Sequence, residues 1–313
     1  MTERRGPLSR FLFKEYQQFL LELATMREER RLTDRLLQVI DLGEKAVVHV
    51  LSGGGALALM HIGVLVAIRE AGIPVHAVVG NSAGAIGTVI YSEAQSYNAI
   101  LHAVIIGISV RWRDLARIGN PTAGGMVNFS LLESFIEKNR RAIQAENEET
   151  VTPIPFIITA TDITSLRRPT VKIFTDELEA PLGRIVQASS AVPGIIPSVK
   201  IGKGYYRDGM VFPPVDEPVD IARALFPKAL LVSVRITGSS IFPLNSPDVR
   251  ITPRRKNGHP LFNAAFFDPN DVQIGYQAGL TAVAEILDHI SQRGIDRSFL
   301  PGFPPQVELG QLF

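Results

Sequence analysis

The chain has no cysteine among its 313 residues, which excludes a disulfide framework and any thiolate metal site. It also lacks an apolar run long enough to span a bilayer. The most apolar stretch, Ala99 to Val110, is interrupted by His102 and ended by Arg111-Trp112-Arg113, short of the ~20 residues a spanning helix needs. Charge of one sign is missing too: 32 Lys and Arg against 31 Asp and Glu leave a net charge of +1, so nothing points to nucleic acid as a partner. No Gly-Lys-Ser or Gly-Lys-Thr follows a glycine cluster, which excludes a Walker phosphate loop. No internal repeat or low-complexity tract is evident. No carboxylate or histidine cluster has metal-ligand spacing, so no metal or other cofactor is expected. The opening Met1-Thr2-Glu3-Arg4-Arg5-Gly6-Pro7 leads into charged helix and not an apolar signal core. The expected location is cytoplasmic or peripheral to a membrane.

What the chain does have is concentrated in three clusters. In Ala77-Val78-Val79-Gly80-Asn81-Ser82-Ala83-Gly84-Ala85 an apolar strand runs into Gly-x-Ser-x-Gly and then into a helix-forming segment. A serine on so sharp a turn exposes its hydroxyl above the sheet edge, and the following helix aims free N–H groups at it. Gly80 and Gly84 fit a backbone too tightly turned for side chains. Ser82 is therefore a candidate nucleophile.

The second cluster lies upstream. Val47 to Leu51 reads as a buried strand ended by Ser52-Gly53-Gly54-Gly55, and Ala56 to Ala71 as a helix stopped by Ala71-Gly72 with Pro74 beyond. With the strand Val75 to Val79 this makes a βαβ unit, whose parallel strands deliver both C-terminal ends to one sheet edge. Gly53, Gly54 and Gly55 then meet Ser82, and their bare N–H groups are candidates for an oxyanion hole. Gly53-x-Gly55-x-x-Ala58 also fits a dinucleotide fingerprint. That fingerprint wants an acidic residue at the end of the second strand, where this chain has Gly80-Asn81-Ser82.

The third cluster is Lys203-Gly204-Tyr205-Tyr206-Arg207-Asp208-Gly209, aromatic residues leading to an Asp-Gly turn. It follows Ala188-Ser189-Ser190-Ala191-Val192-Pro193, a small-residue run suited to packing close beneath an active site. Taken in order, the triple glycine, Gly-x-Ser-x-Gly, Ala-Ser-x-Ala-x-Pro and Asp-Gly resemble the patatin-like phospholipase family. Gly63-Val64-Leu65, Ala160-Thr161-Asp162 and Pro218-Val219-Asp220 extend the resemblance, which covers roughly residues 46 to 236.

The resemblance implies a lipid acyl hydrolase with a serine–aspartate dyad: Ser82 as nucleophile, Asp208 with its Gly209 as base, and the amides of Gly53, Gly54 and Gly55 as oxyanion hole. It implies a three-layer α/β/α fold with a mainly parallel central sheet, and a lipid or acyl-ester substrate met at a membrane surface. His259 and His289 are the two histidines after Asp208, so a triad in Ser-Asp-His order is the alternative base arrangement. The chain departs from the family at Leu57 and Ala58, where the family has Arg or Lys and then glycine. That departure weakens a phospholipid head group more than ester hydrolysis, and it keeps a soluble carboxylesterase or thioesterase in view. A catalytically silent scaffold binding lipid or a partner is the reading from outside enzymology.

The expected organisation is an N-terminal helical extension over 1–44, a catalytic domain over 45–236, and a loop, helix and tail over 237–313. Phe11 to Met26 and Leu32 to Leu42 have helical periodicity and an apolar face suited to packing on the core. Ala99 to Val110 reads as a buried core helix, with a lid or interfacial element as its rival. Gly238 to Asn270 reads as a long loop carrying the basic residues Arg250, Arg254, Arg255 and Lys256, and Asp271 to Arg293 as a final helix. Oligomeric state leaves no signature.

Overall fold

The computed structural model describes residues 7–119, 125–147, 151–166, 168–210, 216–237, 244–256 and 266–298, with side chains from residue 13 onward. The chain begins with helices α1 (Pro7–Glu28) and α2 (Asp34–Leu42). Thr33 caps α2 by accepting the Leu36 N–H, and Gly43 ends it in the left-handed region. Strand β1 (Val47–Leu51) then leads through a 3₁₀ turn (Gly55–Ala58) into α3 (Leu59–Glu70), β2 (Ala77–Asn81) and α4 (Ala83–Glu93). β1 and β2 pair in parallel from Val48↔Ala77 to Leu51↔Gly80, the βαβ unit anticipated from the sequence.

Beyond it come α5 (Tyr97–Ser109), α6 (Trp112–Leu115), a small hairpin of β3 (Arg117–Ile118) and β4 (Val127–Asn128), and α7 (Ser130–Ala145). The second half contributes β5 (Phe156–Asp162), β6 (Thr170–Thr175), α8 (Leu182–Ser189), β7 (Val199–Ile201), β8 (Gly204–Asp208), α9 (Val219–Leu225), β9 (Leu230–Val234), β10 (Val249–Ile251) and α10 (Asn270–Gln292). The sheet runs β10-β9-β1-β2-β5 in parallel, and β6, β8 and β7 join antiparallel on the far side. The fold is thus mixed α/β with a mostly parallel sheet between helical layers.

Alternation along the strands assigns each face its own core. Val47, Leu51 and Val78 pack beneath α3, α4, α5, α7 and α10. Val48, Val50, Ala77 and Val79 pack against α1, α2 and α9. The N-terminal arm is tied to this second layer through Tyr16, buried against Asp220, and Arg27, which donates to the Ala224 carbonyl at 2.5 Å. The last helix is equally committed. Gly63 and Gly275 leave no room for a Cβ, because each lies on the backbone of the opposite helix, so α3 and α10 pack at close approach.

Two expectations need correction. The run Ala99–Val110 is not a fully buried helix: α5 buries Ala99, Ile100, Ala103, Val104 and Gly107 on one face and leaves Ile105 53% exposed on the other. Its composition is apolar on both faces, so periodicity carried no warning. The long loop expected over 238–270 contains strand β10, and two of its basic residues are structural. Arg250 donates to buried Glu217 at 3.1 Å and Arg255 to buried Asp271 at 2.6 Å. Residues 238–243 and 257–265 of that stretch, including His259, lie outside the described residues, as does the Pro-rich end. Among the described residues no helix is long and apolar enough to cross a membrane.

Candidate active site

Ser82 occupies the step between β2 and α4 with φ 53° and ψ −116°, a conformation that non-glycine residues rarely hold without support. The flanking glycines make room for it. A Cβ on Gly80 would run into Thr88 and the Gly84 carbonyl, and one on Gly84 into the carbonyl of Leu51. The support comes from Ser189 at the end of α8. Its hydroxyl accepts the Ser82 N–H at 2.8 Å and donates to the Thr159 carbonyl at 2.7 Å. The sequence marked the Ala188-Ser189 run as close packing; its use as the anchor of the Ser82 backbone was not legible there.

Asp208 reaches the same place by strand register. Along one edge of β5, Thr159 pairs with Asn81 and the next residue, Ala160, pairs with Asp208. The opposite edge of β5 is occupied throughout by β6. Strand β8 therefore takes over where β2 ends, and Asp208 arrives beside the turn that carries Ser82. Thr161 fastens it by donating to the Asp208 carbonyl at 2.9 Å. Gly209 lies so tightly against the Asn81 side chain that a Cβ there has no space. Asn81 in turn accepts from Thr159 Oγ1 at 3.1 Å. Asn81 and Thr159 are positioning groups that motif reading passed over, because a strand-end asparagine has no distinctive spacing.

The Asp208 carboxyl is fully buried, and one oxygen accepts the Met210 N–H at 2.9 Å. The other makes no full hydrogen bond among the described residues. Burial pushes its pKa up to about 6, against the pull of the Ser82 hydroxyl, the Met210 amide and the Asn81 side chain, while the charge of Asp216 adds to the rise. A carboxyl so placed is ionised at neutral pH yet is a far better proton acceptor than an exposed aspartate. Among the described residues no histidine is one of the groups that set its proton affinity.

The glycine loop meets Ser82 directly. A Cβ built on Gly53 would sit 3.3 Å from Ser82 Cβ and 2.9 Å from an Asp216 carboxylate oxygen. Several bonds hold the loop. His61 donates to the Ser52 carbonyl at 3.0 Å, Ser52 Oγ accepts the Ile236 N–H at 3.0 Å, and Thr237 shares its one hydroxyl proton between Asp216 at 2.7 Å and the Gly53 carbonyl at 3.1 Å. The Gly53 N–H is itself consumed, donating to the Asp216 carbonyl at 2.9 Å. This narrows the expected trio of donors to the amides of Gly54 and Gly55. Gly55 has φ 59° and is exposed, so its left-handed backbone favours glycine.

His49 and His61 are fully buried, with burial lowering their pKa values to about 3 and about 4. His76 accepts the Val47 N–H at 2.9 Å, and His289 lies on α10. Leu57 and Ala58, which stand where the resemblance called for a cation and a glycine, are both buried. Among the described residues no three His, Asp or Glu side chains converge to hold a metal ion.

Comparison with known proteins completes the description. A family model described as patatin-like phospholipase matches residues 49–219. Proteins of Mycobacterium tuberculosis and Mycobacterium bovis described as uncharacterized NTE family proteins are 25% identical over 235 residues, covering 74% of this chain and 60% of theirs. Human patatin-like phospholipase domain-containing protein 6 is 28% identical over 200 residues, 58% of this chain and 13% of its own. The chain thus spans about three fifths of the mycobacterial relatives and a small part of the human one. Among solved structures, the type III effector ExoU of Pseudomonas aeruginosa matches with TM-score 0.44 and 16% identity, over 80% of this chain and 53% of ExoU. VipD from Legionella pneumophila matches with TM-score 0.42 and 12% identity, over 77% and 67%.

Proposed function

The chain belongs to the patatin-like phospholipase family, and from that premise we propose that it hydrolyses carboxylic esters of lipids through an acyl-Ser82 intermediate. The observation that carries this reading is the register of β5, which sets Asp208 beside the Asn81-Ser82 turn while Gly53 packs on Ser82 itself.

In the first half-reaction Asp208 takes the Ser82 hydroxyl proton as Oγ attacks the acyl carbonyl carbon. The carbonyl electron pair moves onto oxygen, where the Gly54 and Gly55 amides donate to the developing charge. Collapse breaks the ester bond, and the leaving alcohol takes the proton from Asp208. In the second half-reaction water gives its proton to Asp208 and attacks the acyl-serine. Collapse then releases the fatty acid and returns the proton to Ser82. Asp208 is suited to both duties because burial has raised its proton affinity without holding it protonated at neutral pH.

A carboxylesterase indifferent to the head group is the second reading, favoured by one observation: Leu57 leaves the glycine loop without the cation that would meet a phosphate. Both readings share a test. An alkyl fluorophosphonate should label the wild type and fail to label Ser82→Ala and Asp208→Asn, and a panel of phospholipids, neutral glycerides and simple esters should then rank substrates. Absence of both labelling and turnover in the wild type, with lipid vesicles present, would overturn the hydrolase reading in favour of a lipid-binding scaffold.

A further inference from the structure

Asp216 stands beside Ser82 and takes no part in either half-reaction. A Cβ built on Gly53 would lie 2.9 Å from Asp216 Oδ1 and 3.3 Å from Ser82 Cβ. The two contacts share one point, so the carboxylate lies within about 6 Å of Ser82 Cβ, inside the Debye length of ~8 Å at physiological salt. The Asp216 backbone is fixed through its carbonyl, which accepts the Gly53 N–H at 2.9 Å, and its carboxylate through the Thr237 hydroxyl at 2.7 Å. The residue is half-buried, so water screens its charge only in part.

The surrounding cations leave that charge standing. Arg235 acts on Asp216, but its guanidinium is committed to Glu217, which accepts Arg235 Nε at 2.8 Å and Arg250 Nε at 3.1 Å. Asp208 registers the outcome. The charge of Asp216 raises its proton affinity, and among the described residues no cation is one of the groups that set it. Arg207 precedes Asp208 on β8 and points to the opposite face of the sheet. Leu57, buried and apolar, brings no cation to the glycine loop. At the Ser82–Asp208 pair the acting charges are therefore those of Asp208 and Asp216, both negative.

We propose that Asp216 is a specificity-determining residue: it repels an anionic group beside the scissile ester, so the site favours acyl esters with uncharged neighbours, acylglycerols being the lipids of that kind. The inference rests on Ser82 being the nucleophile. A phosphate or carboxylate bound next to the ester would stand against a fixed charge of its own sign, whereas a hydroxyl or a second ester meets no such repulsion. Discrimination of this sort comes from an unfavourable contact with the wrong substrate and needs no added contact with the right one.

The test compares para-acetoxybenzamide with para-acetoxybenzoate on the full chain at pH 8, each rate divided by that of alkaline hydrolysis, with fluorophosphonate labelling of every variant alongside. The ratio of the two kcat/KM values cancels changes in folding and in the base, because both esters use the same Ser82 and Asp208. In the wild type the benzamide should be favoured about tenfold, the order expected of one partly screened charge at this separation. Asp216→Asn keeps an oxygen for Thr237 and loses the charge, so the preference should vanish. Thr237→Val loosens the carboxylate but leaves its charge, so both rates should fall together and the ratio should hold. Dioleoylglycerol against dioleoyl phosphatidic acid in neutral detergent micelles carries the comparison to lipids, with Asp216→Asn gaining on the phosphatidic acid. No preference in the wild type, or one unmoved by Asp216→Asn while Ser82 still labels, would overturn the assignment and leave hydrolysis standing. A ratio moved as far by Thr237→Val would also overturn it, by tracing the effect to loop geometry and not to charge. Absence of both labelling and turnover with every ester would remove the hydrolase reading and this inference with it.

Discussion

Asn81 and Asp208 pair with consecutive residues of β5, Thr159 and Ala160, on the same strand edge. The distance between the Ser82 turn and its proposed base is therefore set by one strand step of ~3.3 Å, not by either loop. Asn81 sits at the centre: it accepts from Thr159, leaves no room for anything but glycine at 209, and holds down the proton affinity of Asp208. A side chain that does all three couples the geometry of the site to its pH response.

The first prediction is a pH profile. With Asp208 as base, kcat/KM should fall on the acid side with a limb at about 6, since burial has raised its pKa to that value. Asn81→Ala removes a group that lowers it, so the limb should move up; Asp216→Asn removes a neighbouring negative charge, so it should move down. Profiles of all three proteins on one soluble ester decide the matter, and limbs that coincide would exclude Asp208 as the titrating base.

The second concerns stability. Asp208 binds its proton more tightly in the folded chain than the ordinary value of 3.8 in the unfolded one, so ionising it costs folding free energy as pH rises through about 6. By linkage that cost is about 3 kcal/mol at neutral pH and disappears below the unfolded value. Asp208→Asn keeps an oxygen for the Met210 amide and carries no charge. It should abolish turnover yet melt higher than wild type at pH 8, with the gain shrinking to nothing at pH 3.5. A lower melting point at pH 8 would contradict the burial argument.

Much of this is legible in the sequence. The βαβ unit could be read because Val47–Leu51 and Val75–Val79 are mainly apolar runs that each end at glycine, with a helix stop between them. Ser82 and the glycine loop could be picked out because tight turns demand glycine at fixed offsets, and Asp208 because the order of the motifs resembles the family. Ser189, Asn81 and Asp216 could not. Each acts through a partner distant in sequence, and a hydroxyl accepting one backbone N–H leaves no periodic trace. The donor role of Gly53 failed for a related reason: its amide is taken by Asp216, and a chain contact of that separation has no local signature. Strand β10 was hidden in a Pro-rich and basic stretch, because Arg250 is there to pair Glu217 and gave the segment the look of a solvated loop.

Ser189 supplies the third prediction. Replacing it with alanine leaves the buried Ser82 N–H without its 2.8 Å acceptor and the Thr159 carbonyl without its donor. An unsatisfied buried group costs about 1–3 kcal/mol, so the melting point should drop. The elbow loosens as well, so kcat should fall about tenfold or more with KM little changed, since misplacing a nucleophile by a fraction of an ångström is costly. Equal kcat in the two proteins would show that the anchor does not position Ser82.

Glu217 carries the fourth. It is 5% exposed and takes both its partners from one side of the sheet, Arg235 Nε at 2.8 Å and Arg250 Nε at 3.1 Å. It also neighbours Asp216, whose own carboxyl is pushed up by burial and by the charge of Glu217. Arg235→Ala should destabilise the fold by about 1.5–3 kcal/mol, because it strands part of the charge of a buried carboxylate that is left with Arg250 as its one cation. The double variant Arg235→Ala with Glu217→Gln should recover part of that loss, since the remaining group is neutral. Urea unfolding of the two variants and wild type measures both steps, and a double variant no more stable than Arg235→Ala would contradict the stranded-charge account.

The last prediction returns to the strained serine. At φ 53° and ψ −116° Ser82 holds a backbone that glycine adopts freely and other residues do not. Ser82→Gly and Ser82→Ala remove the same hydroxyl, so each should lose turnover and fluorophosphonate labelling. They differ in strain. Alanine keeps the Cβ and its cost, whereas glycine relieves about 1–3 kcal/mol of it, offset by about 0.5–1 kcal/mol of added flexibility in the unfolded chain. Ser82→Gly should therefore be the more stable of the two by about 1 kcal/mol in denaturant unfolding. The wild type should match Ser82→Ala more closely than Ser82→Gly, because both keep the Cβ and with it the strain of the turn. A Ser82→Gly protein no more stable than Ser82→Ala would mean that the turn stores no strain, and that the Ser189 anchor carries the nucleophile's conformation alone.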